Sequence, residues 1–202
     1  MILPKKTPIL LLLSVLLCMY SCGSVKLPEQ SKIYPPQEHV SSVIAARGVK
    51  TPEQLFRFFM AEQPRADSAK VMRLAEYYVE EGKFEGINSD LAFVQMCLET
   101  GFLRFGGLVT ESMNNFCGLG AIDKEHPGVQ LPDEITGVKA HIQHLHAYGT
   151  TAALKGTLVD PRYMYVKPRG KASDAVELGG TWASDSAYGD KLLALLCRLE
   201  SY

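Results

Sequence analysis

The stretch Asn88-Ser89-Asp90-Leu91-Ala92-Phe93-Val94-Gln95-Met96-Cys97-Leu98-Glu99-Thr100-Gly101 decides the fold of this 202-residue chain. It opens with the polar residues that cap helix N-termini, and from Leu91 to Leu98 it is apolar on every side except at Gln95. A helix that is apolar all round is buried. The stretch therefore predicts a central, buried helix that ends at Thr100-Gly101.

Glu99 is the charged residue at the end of this predicted helix. Burial disfavours the ionised carboxylate, so the pKa of Glu99 is expected to rise. A carboxylic acid that stays protonated near neutral pH is the group needed to break a glycosidic bond. The simpler alternative is a helix-terminal carboxylate that pairs with Arg104.

Further helices are expected around the central one. Apolar residues recur at three- and four-residue spacing in four other segments, near 51–60, 67–82, 136–148 and 188–199. Residues 101–136 are instead rich in Gly, Asn and Pro, which favours a cleft wall or a small hairpin. The pattern as a whole predicts a mostly α-helical domain.

Composition limits the classes of function. The net charge is −1, with 47% hydrophobic and 21% charged residues, as in an ordinary globular chain. Nucleic-acid binders show a basic excess or stripe, and this chain has neither, so no nucleic-acid partner is expected.

The N-terminus indicates export and lipid attachment. Lys5 and Lys6 precede an apolar run from Ile9 to Leu17, as in a secretory signal. Ser21-Cys22 follows directly and resembles the cleavage point of a bacterial lipoprotein signal, so residues 1–21 are predicted to be removed and Cys22 to carry a lipid. An ordinary secretory signal is the alternative. Residues 22–50, rich in Ser, Pro, Gln and Lys, are predicted to be a tether to a domain at 51–202.

Cysteine and histidine give weaker signals than Glu99. Three cysteines remain after the signal (Cys97, Cys117 and Cys197), so no disulfide framework is expected. Cys117 lacks an evident base for nucleophilic chemistry. His141 and His144 share a helical face but have no third ligand, so neither a metal nor another cofactor is expected.

Three blocks of sequence carry a resemblance to a known family. Leu98-Glu99-Thr100-Gly101 is similar to the Glu-Ser/Thr-Gly segment that bears the catalytic acid of the bacterial glucosaminidases. Asn114-Asn115-Phe116-Cys117-Gly118-Leu119 is similar to their cleft-lining Asn-Leu-Phe-Gly-Ile block, and Trp182 to Tyr188 to their Tyr-Ala-Thr-Asp-Pro-x-Tyr. In this order, the blocks resemble the glucosaminidase family of peptidoglycan hydrolases (glycoside hydrolase family 73-like), within the lysozyme-like superfamily.

The resemblance implies a fold and an activity. The expected fold is a mostly α, lysozyme-like α+β domain with a loop-rich substrate cleft and at most a small β-hairpin. The expected activity is that of an endo-β-N-acetylglucosaminidase, which cleaves the β-1,4 bond between N-acetylglucosamine and N-acetylmuramic acid with Glu99 as general acid. The partner is then the glycan strand of peptidoglycan, bound by a monomer.

Other site residues follow from the same resemblance. Glu125 is the first choice for a second catalytic carboxylate, although assistance by the substrate's N-acetyl group would make one unnecessary. Substrate-binding roles are expected for a set of cleft residues: Asn114, Asn115, Phe116, Trp182 and Tyr188. The two asparagines have the alternative role of stabilising a turn, and Trp182 that of filling the core.

Two rival functions remain open at this point. One is a lytic transglycosylase or muramidase on the same fold, which cuts the other glycosidic linkage. The other is a non-catalytic peptidoglycan-binding lipoprotein. In each case the expected location is the cell envelope, through a lipid anchor on Cys22 in the outer membrane with the domain facing the periplasm.

Overall fold

The computed structural model describes residues 39–202. The predicted signal peptide at 1–21, the lipidation site Cys22 and most of the predicted tether lie outside the described residues. Within 39–202 there are five α-helices: α1 (Pro52–Glu62), α2 (Ser68–Glu85), α3 (Ser89–Thr100), α4 (Glu134–Gly149) and α5 (Tyr188–Leu199). This confirms the mostly helical fold. None of these helices is long and apolar enough to cross a bilayer.

Helix α3 is the buried central helix that its sequence predicts. Every residue from Ser89 to Cys97 is buried, and α3 contacts the other four helices. The Asn88 side chain caps its start by accepting hydrogen bonds from the backbone N–H groups of Asp90 and Leu91. Gly101 ends it in the left-handed conformation at φ 58°, which a glycine adopts without a Cβ clash.

The neighbouring helices begin at recognisable caps. Thr51 forms a capping box with Gln54 at the start of α1. Asp67 caps α2 through the N–H groups of Ala69 and Lys70. Helix α4 begins at Glu134, slightly before the Thr136-Gly137 start that the sequence suggests, because Asp133 accepts a hydrogen bond from the Thr136 N–H and so becomes the N-cap.

Extended structure among residues 39–202 is confined to three isolated bridges: Val43 with Asp174, Ala121 with Pro127, and Gly179 with Ala183. The Ala121–Pro127 bridge closes a tight turn, with the Ile122 N–H donating to the His126 carbonyl at 2.9 Å. This agrees with the expectation of at most a small hairpin. The turn projects from the loop region between α3 and α4.

Residues 39–50 belong to the folded domain rather than to the tether in which the sequence analysis placed them. Ile44 is fully buried, and its N–H donates to the Ser173 carbonyl. The Asn88 amide donates to the carbonyls of Ser41 and Val43, and Asp90 accepts from the N–H of Lys50. The composition of this segment resembles a linker, but buried polar groups of α3 satisfy its backbone, and the domain boundary therefore lies before residue 51.

Candidate active site

The chain makes a left-handed turn immediately after Glu99. Three consecutive residues, Gly101, Phe102 and Leu103, have φ between 56° and 58°. Non-glycine residues pay about 1–2 kcal/mol each for this conformation. Two contacts hold the turn: Thr100 Oγ1 accepts a hydrogen bond from the Leu103 N–H at 2.9 Å, and Phe102 packs on Phe59 with ring centroids 5.4 Å apart. The turn directs the chain away from α3 and leaves the Glu99 carboxyl group beside a cavity.

Two hydrogen bonds reach the same oxygen of Glu99. The indole Nε1–H of Trp182 donates to Oε1 at 3.1 Å, and the Tyr188 hydroxyl donates to Oε1 in a short contact. Because both donors occupy Oε1, a proton taken up by Glu99 would be carried on Oε2. Oε2 points toward Gly118, where a Cβ would lie 3.7 Å away.

Burial raises the pKa of Glu99, and this effect outweighs the hydrogen bonds from Tyr188 and Trp182, which lower it. The direction agrees with the expectation from the sequence. Arg104 is exposed, and no ion pair joins it to Glu99 within the described part of the chain. The carboxyl group is therefore adapted to hold a proton rather than to balance a cation.

A buried chain of hydrogen bonds runs from α2 to Glu99. The Tyr78 hydroxyl lies 2.8 Å from His141 Nδ1, His141 Nε2 lies 3.0 Å from Gln95 Oε1, and Gln95 Nε2 donates to the Tyr188 hydroxyl at 2.8 Å. Burial and the neighbouring His144 lower the pKa of His141 to about 3, so the ring is neutral.

All hydrogen bonds in this series have the same donor-to-acceptor direction. Gln95 Oε1 can only accept, which places the His141 proton on Nε2 and leaves Nδ1 to accept from Tyr78. Each hydroxyl or N–H then donates toward Glu99, an arrangement in which successive hydrogen bonds strengthen one another. Sequence reasoning missed Tyr78, Gln95 and His141 as site residues. The available signal was Gln95, the one polar side chain in an apolar helix, one turn before Glu99 on the same face.

Two adjacent cavities flank the Glu99 carboxyl group. One, of about 240 Å³, is lined by Glu99, Phe105 and Asn115, among others. The other, of about 250 Å³, is lined by Trp182 and by side chains of α4 and the loop after it. Gly118 and Ala121 line both, and among residues 39–202 Glu99 is the only carboxylate that lines either.

The side chains of Asn114 and Asn115 hold the loop beside the cavities through hydrogen bonds to the backbone. Asn115 is buried: its Nδ2 donates to the carbonyls of Leu119 and Val129, and its Oδ1 accepts from the Leu119 N–H. Asn114 has a positive φ of 50°, and its amide donates to the Leu131 carbonyl. These contacts match the turn-stabilising alternative for the two asparagines.

Phe116 is buried in the core rather than presented to a ligand. Its ring packs so closely on Gly137 of α4 that a Cβ there would lie 2.9 Å from a ring carbon. The glycine in the first turn of α4 is explained by this contact together with a closer one, because the same Cβ would lie 2.0 Å from the Asn114 carbonyl oxygen. The predicted contact of Phe116 with substrate finds no support in its position.

Trp182 and Tyr188 are the predicted residues that the structure brings to Glu99. Tyr188 is buried, whereas Trp182 is only partly buried and packs against His144 and Tyr148, with centroids 5.0 and 5.1 Å away. Trp182 packs on the domain, as its core-filling alternative predicts, and it also lines a cavity, while its contact with substrate stays a prediction. Its indole N–H is one of the two donors to Glu99 Oε1.

Glu125 lies apart from Glu99. It is exposed in the turn closed by Ala121 and Pro127, lines neither cavity and makes no hydrogen bond to the described residues. Two other acidic residues of the loop segments have cationic partners: Glu111 binds Lys70, and Asp185 binds Lys191.

The histidines of α4 take part in hydrogen bonds instead of forming a cluster. His141 belongs to the chain of donors described above, and His144 Nδ1 lies 2.7 Å from an oxygen of Asp160. Within residues 39–202, no group of three or more His, Cys, Asp or Glu side chains is placed to hold a metal ion.

Comparisons with known proteins identify related sequences. The glucosaminidase family, described as mannosyl-glycoprotein endo-β-N-acetylglucosaminidase, matches residues 75–201, which include all three sequence blocks. An uncharacterized protein of Borreliella burgdorferi is 34% identical over 198 residues, covering 98% of this chain and 96% of the relative. No solved structure matches. The chain belongs to the glucosaminidase family of glycoside hydrolases.

Proposed function

We propose that this protein is a peptidoglycan endo-β-N-acetylglucosaminidase, which hydrolyses the β-1,4 bond between N-acetylglucosamine and N-acetylmuramic acid. The observation that carries the proposal is the Glu99 carboxyl group. It is a solvent-accessible acid whose pKa is raised by desolvation, with two donors on Oε1, and its Oε2 faces a cavity. Family membership supports a glycan substrate, and the bacterial relative fits a wall polymer.

In the first step, Glu99 Oε2–H donates its proton to the glycosidic oxygen as the bond from that oxygen to C1 breaks. The carboxylate that forms is stabilised by the Tyr188 hydroxyl and the Trp182 indole N–H. Hydrogen bonds to a charged group contribute about 1.5–3 kcal/mol each, and these two strengthen as charge develops on Glu99. They therefore favour the transition state over the bound substrate.

The second group in this proposal is the substrate's own 2-acetamido oxygen. It attacks C1 as the leaving oxygen departs, and the resulting oxazolinium ion is opened by water, which gives its proton back to Glu99. This route needs one protein carboxylate, in keeping with the single carboxylate that lines the cavities in the described part of the chain. It predicts retention of configuration at C1. The rival is a direct role for Glu125 after movement of its turn toward the bound glycan.

Digestion of purified peptidoglycan tests the proposal. We expect reducing ends of N-acetylglucosamine by mass analysis, loss of at least about a hundredfold in rate for Glu99→Gln, and activity close to wild type for Glu125→Gln. If the rate of Glu125→Gln falls as far as that of Glu99→Gln, the second catalytic group is Glu125 and not the acetamido group of the substrate. N-acetylmuramic acid or 1,6-anhydro ends would assign a muramidase or a lytic transglycosylase instead. Binding of glycan without any product would indicate the non-catalytic lipoprotein.

We also propose attachment to the cell envelope through a lipid on Cys22, in the outer membrane with the domain facing the periplasm. The support is the sequence of residues 1–22 alone. Labelling with a fatty-acid analogue should mark the wild-type chain and leave Cys22→Ser unmarked. Equal labelling of both chains would rule out Cys22 as the acceptor.

A further inference from the structure

We propose that the cavity next to Glu99 that is lined by Arg162 and Lys171 binds a carboxylate carried by the glycan. This inference rests on the proposed function, because it names the part of the substrate that such a cavity recognises. Of the described residues, Arg162 and Lys171 are the only ones of formal charge that line the cavity, and both are cationic.

Both cations are free of carboxylate partners. Neither Arg162 nor Lys171 forms an ion pair with any residue between 39 and 202. Instead each lies over an aromatic ring: the Arg162 guanidinium is 4.3 Å from the centroid of Tyr165, and Lys171 Nζ is 4.5 Å from that of Tyr148. Contacts of this kind orient a cation without neutralising its charge. The cavity is therefore left with unbalanced positive charge.

Asp160 is the nearest carboxylate in sequence to Arg162, and it is fully engaged in holding the cavity together. It is buried; one of its oxygens accepts a hydrogen bond from the Arg162 backbone N–H at 2.7 Å, and the other lies 2.7 Å from His144 Nδ1. Gln143 Oε1 accepts from the backbone N–H groups of Val159 and Asp160. The loop that carries Arg162 is thus fixed to α4 by buried polar groups, and Arg162 lines the cavity.

The position of this cavity relative to Glu99 indicates which part of the glycan enters it. It shares Gly118 and Ala121 with the cavity that Glu99 lines, and its wall includes Trp182, whose indole donates to Glu99. A group bound there lies close to the bond that Glu99 protonates. In the proposed substrate, N-acetylmuramic acid carries a carboxyl group on its lactyl branch, either free or continued into a stem peptide that has carboxylates of its own. Both sources present the same chemistry to Arg162 and Lys171.

The test compares the double variant Arg162→Gln/Lys171→Gln with a matched control. The control is Arg65→Gln/Lys83→Gln, which removes the same charge from two exposed residues that line neither cavity. Three soluble ligands are used: glycan with intact stems, glycan stripped of its stems by an amidase so that the lactyl carboxyl is free, and a neutral N-acetylchitooligosaccharide. Dissociation constants are measured in the Glu99→Gln chain, and KM and kcat in the active chain.

We expect the double variant to weaken binding and raise KM by about tenfold for at least one carboxylate-bearing glycan, with kcat and chitooligosaccharide binding unchanged. The glycan that responds identifies the source of the carboxylate. Lys171→Arg, which keeps the charge, should bind like wild type. Equal changes for all three ligands, no change for any, or the same change in the control would overturn the proposal. Because binding is measured without turnover, absence of hydrolysis in the active chain would refute the proposed function and leave this test intact.

Discussion

Replacing Tyr188 with Phe is expected to move the alkaline limb of the pH–activity profile to higher pH. Glu99 acts as an acid only while it is protonated, so activity falls as pH rises through its pKa. The Tyr188 hydroxyl donates to Glu99 Oε1 and favours the ionised form, which lowers the pKa of Glu99 against the raising effect of burial. Removing the hydroxyl leaves the raising effect with less opposition.

The size of the change follows from the type of hydrogen bond. A bond to a charged group is worth about 1.5–3 kcal/mol, and 1.36 kcal/mol corresponds to one pH unit, so the limb should move by about 1–2 pH units. On the acidic plateau kcat should fall, because the same bond stabilises the carboxylate formed in the transition state. The variant should also lose about 1–3 kcal/mol of stability, since the buried Gln95 amide is left without the acceptor that it has in Tyr188.

The assay is the initial rate of reducing-end release from soluble glycan between pH 4 and pH 9, about five units that cover both limbs. Tyr77→Phe is the matched control, because the Tyr77 hydroxyl makes no hydrogen bond to the described residues and its removal should leave the profile in place. Trp182→Phe should shift the limb in the same direction as Tyr188→Phe, since it removes the other donor to Oε1. An alkaline limb that stays at the wild-type pH in both site variants would refute the assignment of that limb to Glu99.

Three further changes test other parts of the site. Glu99→Gln should unfold at a higher temperature than wild type at neutral pH. The raised pKa of Glu99 gives the wild type stability that is complete below the unfolded-state pKa of 4.5 and is lost as pH rises through the folded-state pKa. Calorimetry should therefore show the difference in melting temperature shrinking below pH 4.5, and a difference that stays constant with pH would contradict this. Gly118→Ala should lower the free energy of unfolding by about 1–2 kcal/mol in denaturant, because φ at this position is +71°. It should also lower kcat/KM, because the new Cβ lies beside Glu99 Oε2. Unchanged kinetics would show that Oε2 does not face the substrate. Asn115→Ala should lower the free energy of unfolding by about 2–3 kcal/mol, because the Asn115 side chain makes three hydrogen bonds to the backbone. Its KM, measured well below the melting temperature of the variant, should equal that of wild type. A raised KM in the folded variant would restore a substrate-binding role for Asn115.

The buried helix and its acid were predictable because both depend on local patterns. A run of apolar residues with a polar cap predicts α3, and a carboxylate at its end implies a raised pKa wherever the helix packs. The placement of Tyr188 beside Glu99 was expected only through the resemblance to the family. Spacing along the chain does not bring together residues 89 positions apart, and the hydrogen bond between them depends on how α5 packs against α3.

The errors and omissions have a common physical origin. Residues 39–50 have the composition of a linker, yet Asn88 and Asp90 satisfy their backbone and hold them in the domain. The sequence is equally consistent with Asn115 as a sugar ligand and as a turn residue. In the structure its amide donates to the carbonyls of Leu119 and Val129, which matches the turn role. In each case the sequence shows the polar group but not its partner.

By itself, the sequence determined the helical class of this protein, its central buried helix, the acid at the end of that helix and the family to which the chain belongs. These depend on periodicity, capping and short ordered motifs, all of which are properties of neighbouring residues. Only the tertiary structure decided which oxygen of Glu99 accepts hydrogen bonds, how Tyr78, His141 and Gln95 direct hydrogen bonds toward it, and that Arg162 and Lys171 line one cavity without a counterion among residues 39–202. Those features depend on the packing of distant segments, and hydrogen bonds and unbalanced charge exist only once that packing is in place.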